Sequence, residues 1–256
     1  MKMIYSIIWL MISFSQTEVA TAQPLMSSDY YGSIKNYDAG KLWYTNIDEK
    51  SVEATIAPEP LGFIGPAYQR FYIHYLTVTK DKLNPYQYRV TGKTKVKDIV
   101  CCFNGTITIV KAGIFKKQFD YRYKQGFIEC RIDLYEDSTT TGSGFFSGRL
   151  VSKFYLDEKG KLQYDDLLFG ADGYFNNQCE ASWTSYRTHT SKRVNWGDYR
   201  IPASKELDIG DGEFAVNNKY IANGWQNYKT AWSGDREEAA TKHAQQIEEK
   251  HWWEKL

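Results

Sequence analysis

Histidine and cysteine are scarce, at four residues each in a chain of 256. His74, His189, His243 and His251 lie far apart, and no His-Glu-x-x-His or paired Cys-x-x-Cys is present. Zinc sites need ligands clustered at short spacing, so neither a metal nor another cofactor is expected. Proline numbers only six, and 32 basic against 31 acidic residues leave a net charge of +1. A proline-rich disordered chain and a uniformly polycationic nucleic-acid binder are thereby excluded. Nucleic acid is not an expected partner in any form, because no recognition motif occurs. Also missing are the Gly-x-Ser-x-Gly elbow, the phosphate-binding Gly-x-x-x-x-Gly-Lys and the dinucleotide fingerprint. The chain is not expected to be an enzyme.

What is abundant is aromatic and small: 20 Tyr, 13 Phe, 8 Trp and 19 Gly. Flat rings suit a pleated surface and glycine suits its turns and bulges, so the composition leans toward β structure.

The first residues read as an export signal. Met1 and Lys2 lead into Met3 to Phe14, an apolar run broken only by Ser6 and Ser13, and Ala20-Thr21-Ala22 follows. The run falls short of the roughly 20 residues a spanning helix needs. A signal peptide over 1–22 is expected, leaving a secreted or periplasmic chain with no transmembrane segment after cleavage. The cysteines Cys101, Cys102, Cys130 and Cys179 suit such a compartment, with no disulfide, one or two all remaining open.

Residues 23–68 carry dense turn punctuation and predict an irregular entry with short strands, one of them near 41–47. From 69 to 232 the pattern turns to period two. Tyr86, Tyr88, Val90, Thr94 and Val96 alternate with polar residues, as do Ile99 to Ile109, Ile128 to Leu134 and Phe146 to Leu156. Further strands are expected near 162–169, 178–186 and 193–201. Connections this short make neighbours antiparallel. The fold class is mainly β, an antiparallel meander forming a closed or nearly closed barrel with a C-terminal α-helix, and a two-sheet sandwich is the alternative. The helix, expected over 233–256 from a cap at Asp235, belongs to the same domain. Its thin apolar stripe would need Trp252 and Trp253 for docking. The strand 70–79, apolar on both faces, is a candidate surface for it.

Gly40-Lys41-Leu42-Trp43-Tyr44, ahead of a meander and a late helix, resembles the Gly-x-Trp opening of lipocalins. The likeness covers five residues with one too many between Gly and Trp, so it suggests a barrel architecture without assigning the family.

Three places in the strands set an apolar residue two before a very small one: Phe103 and Gly105, Phe146 and Gly148, Cys179 and Ala181. Small inward residues belong where a curved wall tightens. Phe103, Phe146, Tyr164 and Trp183 are the candidate wall of a ligand-binding interior. Asp166 joins them because its parity mates are Leu162, Tyr164 and Leu168, and a carboxylate among inward apolar residues is paired or part of a site.

The function expected is non-catalytic binding of a small amphipathic molecule, or of a carbohydrate on Trp196, Tyr199, Trp225 and Tyr228. A cell-envelope protein without a pocket is one alternative. Another is a glycan hydrolase using Glu129 with Asp133, Glu136 with Asp137 or Asp165 with Asp166. Charge is sorted locally: residues 80–124 hold eleven basic and three acidic residues, and 126–180 hold five and ten. That pattern fits complementary strand faces or a basic patch for an anionic surface.

Overall fold

The computed structural model describes residues 27–44, 58–235 and 237–254. The expected signal peptide, its cleavage point and the last part of the expected strand at 41–47 lie outside them. Ten strands form one antiparallel sheet: β1 (Ser27–Asp29), β2 (Leu61–Ile64), β3 (Gln69–Lys80), β4 (Gln87–Val96), β5 (Ile99–Phe115), β6 (Lys124–Glu136), β7 (Gly144–Leu156), β8 (Leu162–Tyr164), β9 (Asn176–Ser185) and β10 (Ser191–Asp198). Eight of them close a ring in the order β2-β3-β4-β5-β6-β7-β9-β10 and back to β2. β1 adds to β5, and β8 adds to β7. The barrel is uneven, since β2 has four residues and β5 has seventeen.

Period-two patterning fills the interior. Tyr88 and Val90 of β4, Ile128, Cys130, Ile132 and Leu134 of β6, Phe146, Leu150 and Phe154 of β7, and Cys179 and Trp183 of β9 all point inward and are buried. Two bulges shift the parity. In β3 the register slips between Tyr75 and Thr77, so Phe71, Ile73 and Tyr75 face the core before it and Val78 after it. In β5 the slip lies between Ile109 and Lys111, which passes the inward role to Ala112 and leaves Val110 exposed.

The small inward residues serve close strand approach. A Cβ on Gly105 would stand 2.1 Å from the carbonyl oxygen of Asp133 on β6. On Gly148 it would stand 2.5 Å from Cβ of Ala181, its neighbour on β9.

One end of the ring is plugged by the N-terminal segment, α1 (Tyr31–Ile34) and a 3-10 turn over Gly40–Leu42, where the sequence predicts a strand. The Asp38 carboxylate accepts the Gly40 N–H at 2.9 Å and bends the chain. Trp43 then enters the barrel, donating Nε1–H to Ser152 Oγ at 2.7 Å and meeting the Tyr88 ring edge to face. The Ala39 N–H donates to Tyr88 Oη, and Asn177 Nδ2 donates to the Leu42 carbonyl. Ile34, Ala39 and Leu42 are fully buried there.

The C-terminal segment wraps the outside of β2, β3 and β10. Phe63 and Tyr68 pack there with Ile201, Leu207, Phe214, Val216, Tyr220 and Trp225 as a second core. The helix expected over 233–256 from Asp235 is the shorter α3 (Ala239–Glu248), and a further helix, α2 (Gln226–Ser233), precedes it in a stretch whose sequence reads as loop. Gly234 is extended, and the Asp235 carboxylate and carbonyl accept the N–H groups of Glu237 and Glu238, making a turn before α3 begins. Trp252 and Trp253 then dock on the outer face of β3: Trp253 stacks on His74 at 3.8 Å and Trp252 tilts against Tyr72. Beside them the buried Arg70 pairs with Glu248 at 3.2 Å and lies over the Trp225 ring. Among the described residues no helix is long and apolar enough to cross a membrane.

Candidate functional site

The hairpin turns β2–β3, β4–β5, β6–β7 and β9–β10 gather at the end of the ring opposite the plug, and there the described residues leave the interior unfilled. A cavity of about 400 Å³ lies among Phe71, Val96, Ile99, Cys101, Phe146 and Trp183, with Thr94 and Glu136 in its wall and Lys97 and Lys192 among the lining residues. That volume is in the range of small-molecule sites, which are typically apolar with few placed polar groups.

Glu136 is buried in the wall of this cavity beside Thr94. It continues the inward parity of Ile132 and Leu134, so the strand's own alternation carries a carboxylate inside. Its Oε2 accepts Trp183 Nε1–H at 2.9 Å and the Gly144 N–H at 2.8 Å, and Oε1 accepts the Thr94 hydroxyl. Gly144 makes this possible, because a Cβ there would stand 2.7 Å from Cε2 of the Trp183 ring. Burial pushes the Glu136 carboxyl upward, against the pull of these three donors. Burial and the nearby Glu136 charge push the Cys101 thiol up to about 12.

Of the sequence-derived residues, Phe146 and Trp183 line this cavity. Phe103 sits in the filled core, edge to face with Tyr75. Tyr164 and Asp166 lie elsewhere. β8 ends at Tyr164, so the alternation expected to carry Asp166 inward stops there. Asp165 is the buried carboxylate instead, accepting from Gln125 Nε2 at 2.9 Å, while Asp166 is half-buried in the following loop.

Tyr164 belongs to a second polar cluster in the wall between β10 and the chain ahead of β2. Its hydroxyl donates to Asp198 Oδ2 at 2.8 Å, and Asn177 Nδ2 donates to the same oxygen at 2.7 Å. Asp198 is buried, and desolvation first, with the charge of Glu59 adding, raises its carboxyl to about 8 against the opposing hydrogen bonds. The Glu59 carboxylate accepts a hydrogen bond from His74 Nδ1–H at 2.7 Å. A void of about 20 Å³ touches Tyr75, Asn177 and Asp198. It is the size of one water molecule, so among the described residues the cluster leaves room for no more than that.

No family model, curated protein or solved structure matches the chain.

Glu129 pairs with Arg149 and Asp133 with Arg131 on the outer wall. Asp137 caps a turn by accepting the Thr139 N–H, facing away from Glu136. Trp196 and Trp225 are buried, so they form no exposed stacking platform for sugar. The basic 80–124 region is dispersed: Lys80 binds the carbonyls of Lys35 and Tyr37, Lys93 binds that of Trp253, Lys95 faces Tyr72, and Lys97 reaches the cavity. Among the described residues no three His, Cys, Asp or Glu side chains come together to hold a metal ion, and the four thiols are unpaired.

Glu136 was within reach of the sequence. Ile128, Cys130, Ile132 and Leu134 mark the inward parity of β6, and Glu136 is its next member.

Proposed function

We propose that this protein binds a small amphipathic molecule in the open mouth of its barrel, without transforming it, and that it works outside the cytoplasm. The observation that carries this reading is the contrast between the two ends of the ring. Trp43 and its neighbours close one end with side chains and hydrogen bonds, whereas about 400 Å³ at the other is left to a mostly apolar wall. The apolar run at Met3 to Phe14 with Ala20-Thr21-Ala22 supports the compartment.

A carbohydrate is the weaker choice, since Trp196 and Trp225 are inside the fold. A hydrolase is weaker still, because Glu129 and Asp133 are held in ion pairs and Glu136 already accepts three hydrogen bonds.

The test is titration with Nile red, an uncharged dye that brightens in apolar surroundings. Saturable uptake at one site is expected for the wild type. Ala67, exposed in the β2–β3 turn, lines the cavity, and Ala67→Trp places an indole over it. That variant should bind at least tenfold more weakly, a loss of about 1.4 kcal/mol, with an unchanged unfolding midpoint. Absence of saturable uptake by the wild type, or equal uptake by both proteins, refutes the reading.

A further inference from the structure

We infer that the molecule held in this cavity carries an acidic head, bound at the mouth between Lys97 and Lys192, with its apolar body below. The inference rests on the binding reading above and adds the chemistry of the ligand.

Among the described residues, three charged side chains line the cavity: Lys97, Lys192 and Glu136. The two cations stand at the mouth and are exposed, Lys97 in the β4–β5 turn and Lys192 at the start of β10. Among the described residues neither is in an ion pair. Lys192 Nζ lies 5.7 Å from the Trp183 ring centroid, so its charge stands over the aromatic wall of the cavity while the side chain remains exposed. The anion, Glu136, is buried, with its carboxylate occupied by Thr94, Gly144 and Trp183.

This arrangement orients a ligand. An acidic head pushed inward would lose its hydration and meet a like charge, whereas at the mouth it keeps water and gains two cations. An amine head gains nothing at the mouth and meets Lys97 and Lys192 on entry. Gln69 and the turn Gly65-Pro66-Ala67 complete the rim without adding a carboxylate. The occupant of stated chemistry is thus a carboxylate or another acid on an apolar chain or ring system.

Decanoate, decyl sulfate, decanol and decylamine share a tail and differ in head. Displacement of Nile red from the full protein at low salt should rank both acids about tenfold tighter than the alcohol, with the amine weakest, as two partly solvated charge pairs allow. Raising the salt should shrink the preference, a readout that needs no variant. Lys97→Gln with Lys192→Gln should bring acid and alcohol to the same affinity while Nile red still binds. Equal affinity for all four, tighter binding of the amine, or failure of all four to displace the dye overturns the acidic head and leaves the cavity reading standing. Failure of Nile red itself to bind overturns both.

Discussion

Asp198→Asn should remove a large share of the protein's loss of stability with rising pH. Asp198 is only 1% exposed, and its carboxyl is raised from the ordinary 3.8 to about 8. A carboxyl that titrates higher in the folded chain than in the unfolded one makes the folded state hold more protons between those two values. Stability is then fully present below the unfolded pKa and is lost as pH rises through the folded one. An interval of about four pH units at about 1.36 kcal/mol each bounds the effect at roughly 5 kcal/mol. The substitution keeps the geometry, because the Asn side-chain carbonyl can accept the Tyr164 hydroxyl and the Asn177 amide as Oδ2 does now. Urea unfolding at several pH values between about 4 and 8 is the assay. Glu136 and Asp165 are also raised and slope the same way in both proteins, so the difference between the two profiles isolates Asp198. The wild type should fall relative to Asp198→Asn by several kcal/mol across this range, and the variant should be the more stable protein at about pH 8. Parallel profiles, within about 0.5 kcal/mol throughout, would refute the reasoning.

Two further outcomes are expected. Gly105→Ala should cost about 2 kcal/mol or more in urea unfolding, since the new Cβ meets the backbone of β6 and not a side chain that can swing away, whereas Gly32→Ala, with open space around it, should be neutral or slightly stabilising. A short pulse of iodoacetamide on the native protein should modify the exposed Cys102 and spare Cys101, Cys130 and Cys179, whose thiols burial pushes up. Mass spectrometry of the digest reads this, and labelling of Cys130 or Cys179 without denaturant would contradict the closed barrel.

The barrel was legible because alternation is local. Each hairpin advertises its inward set, from Tyr88 and Val90 to Cys179 and Trp183, and short connections leave neighbouring strands little choice of partner. Phe146 and Trp183 were legible as interior wall for the same reason. What alternation does not report is which end of a barrel is filled. That depends on Trp43, whose partners Tyr88 and Ser152 are distant in sequence, and on the bend at Asp38, which turns an extended-looking segment into a plug. Asp166 shows the limit from another side, because parity argues only as far as the strand runs and β8 stops at Tyr164. Glu136 needed no structure to be noticed, only the parity of β6 carried one step past Leu134. α2 was hidden because Asn223-Gly224 ahead of it reads as a loop, so Trp225 and Tyr228 read with that turn, although Tyr228, Ala231 and Trp232 stand at helical spacing.

The short strand β2 has a kinetic consequence. Every other link of the ring joins strands close together in the chain, but the ring closes where Ile64 meets Val194, after roughly 130 residues of intervening chain. The hairpins from β3 to β9 can form as they are synthesised, and the last pairing must wait for β10 and then recapture four residues near the start of the domain. Until it does, the sheet has two free edges and the cavity has no wall at Ile64 and Lys192. Folding of this protein should therefore end in a slow intramolecular step, with the empty mouth of the barrel the last part of the molecule to exist.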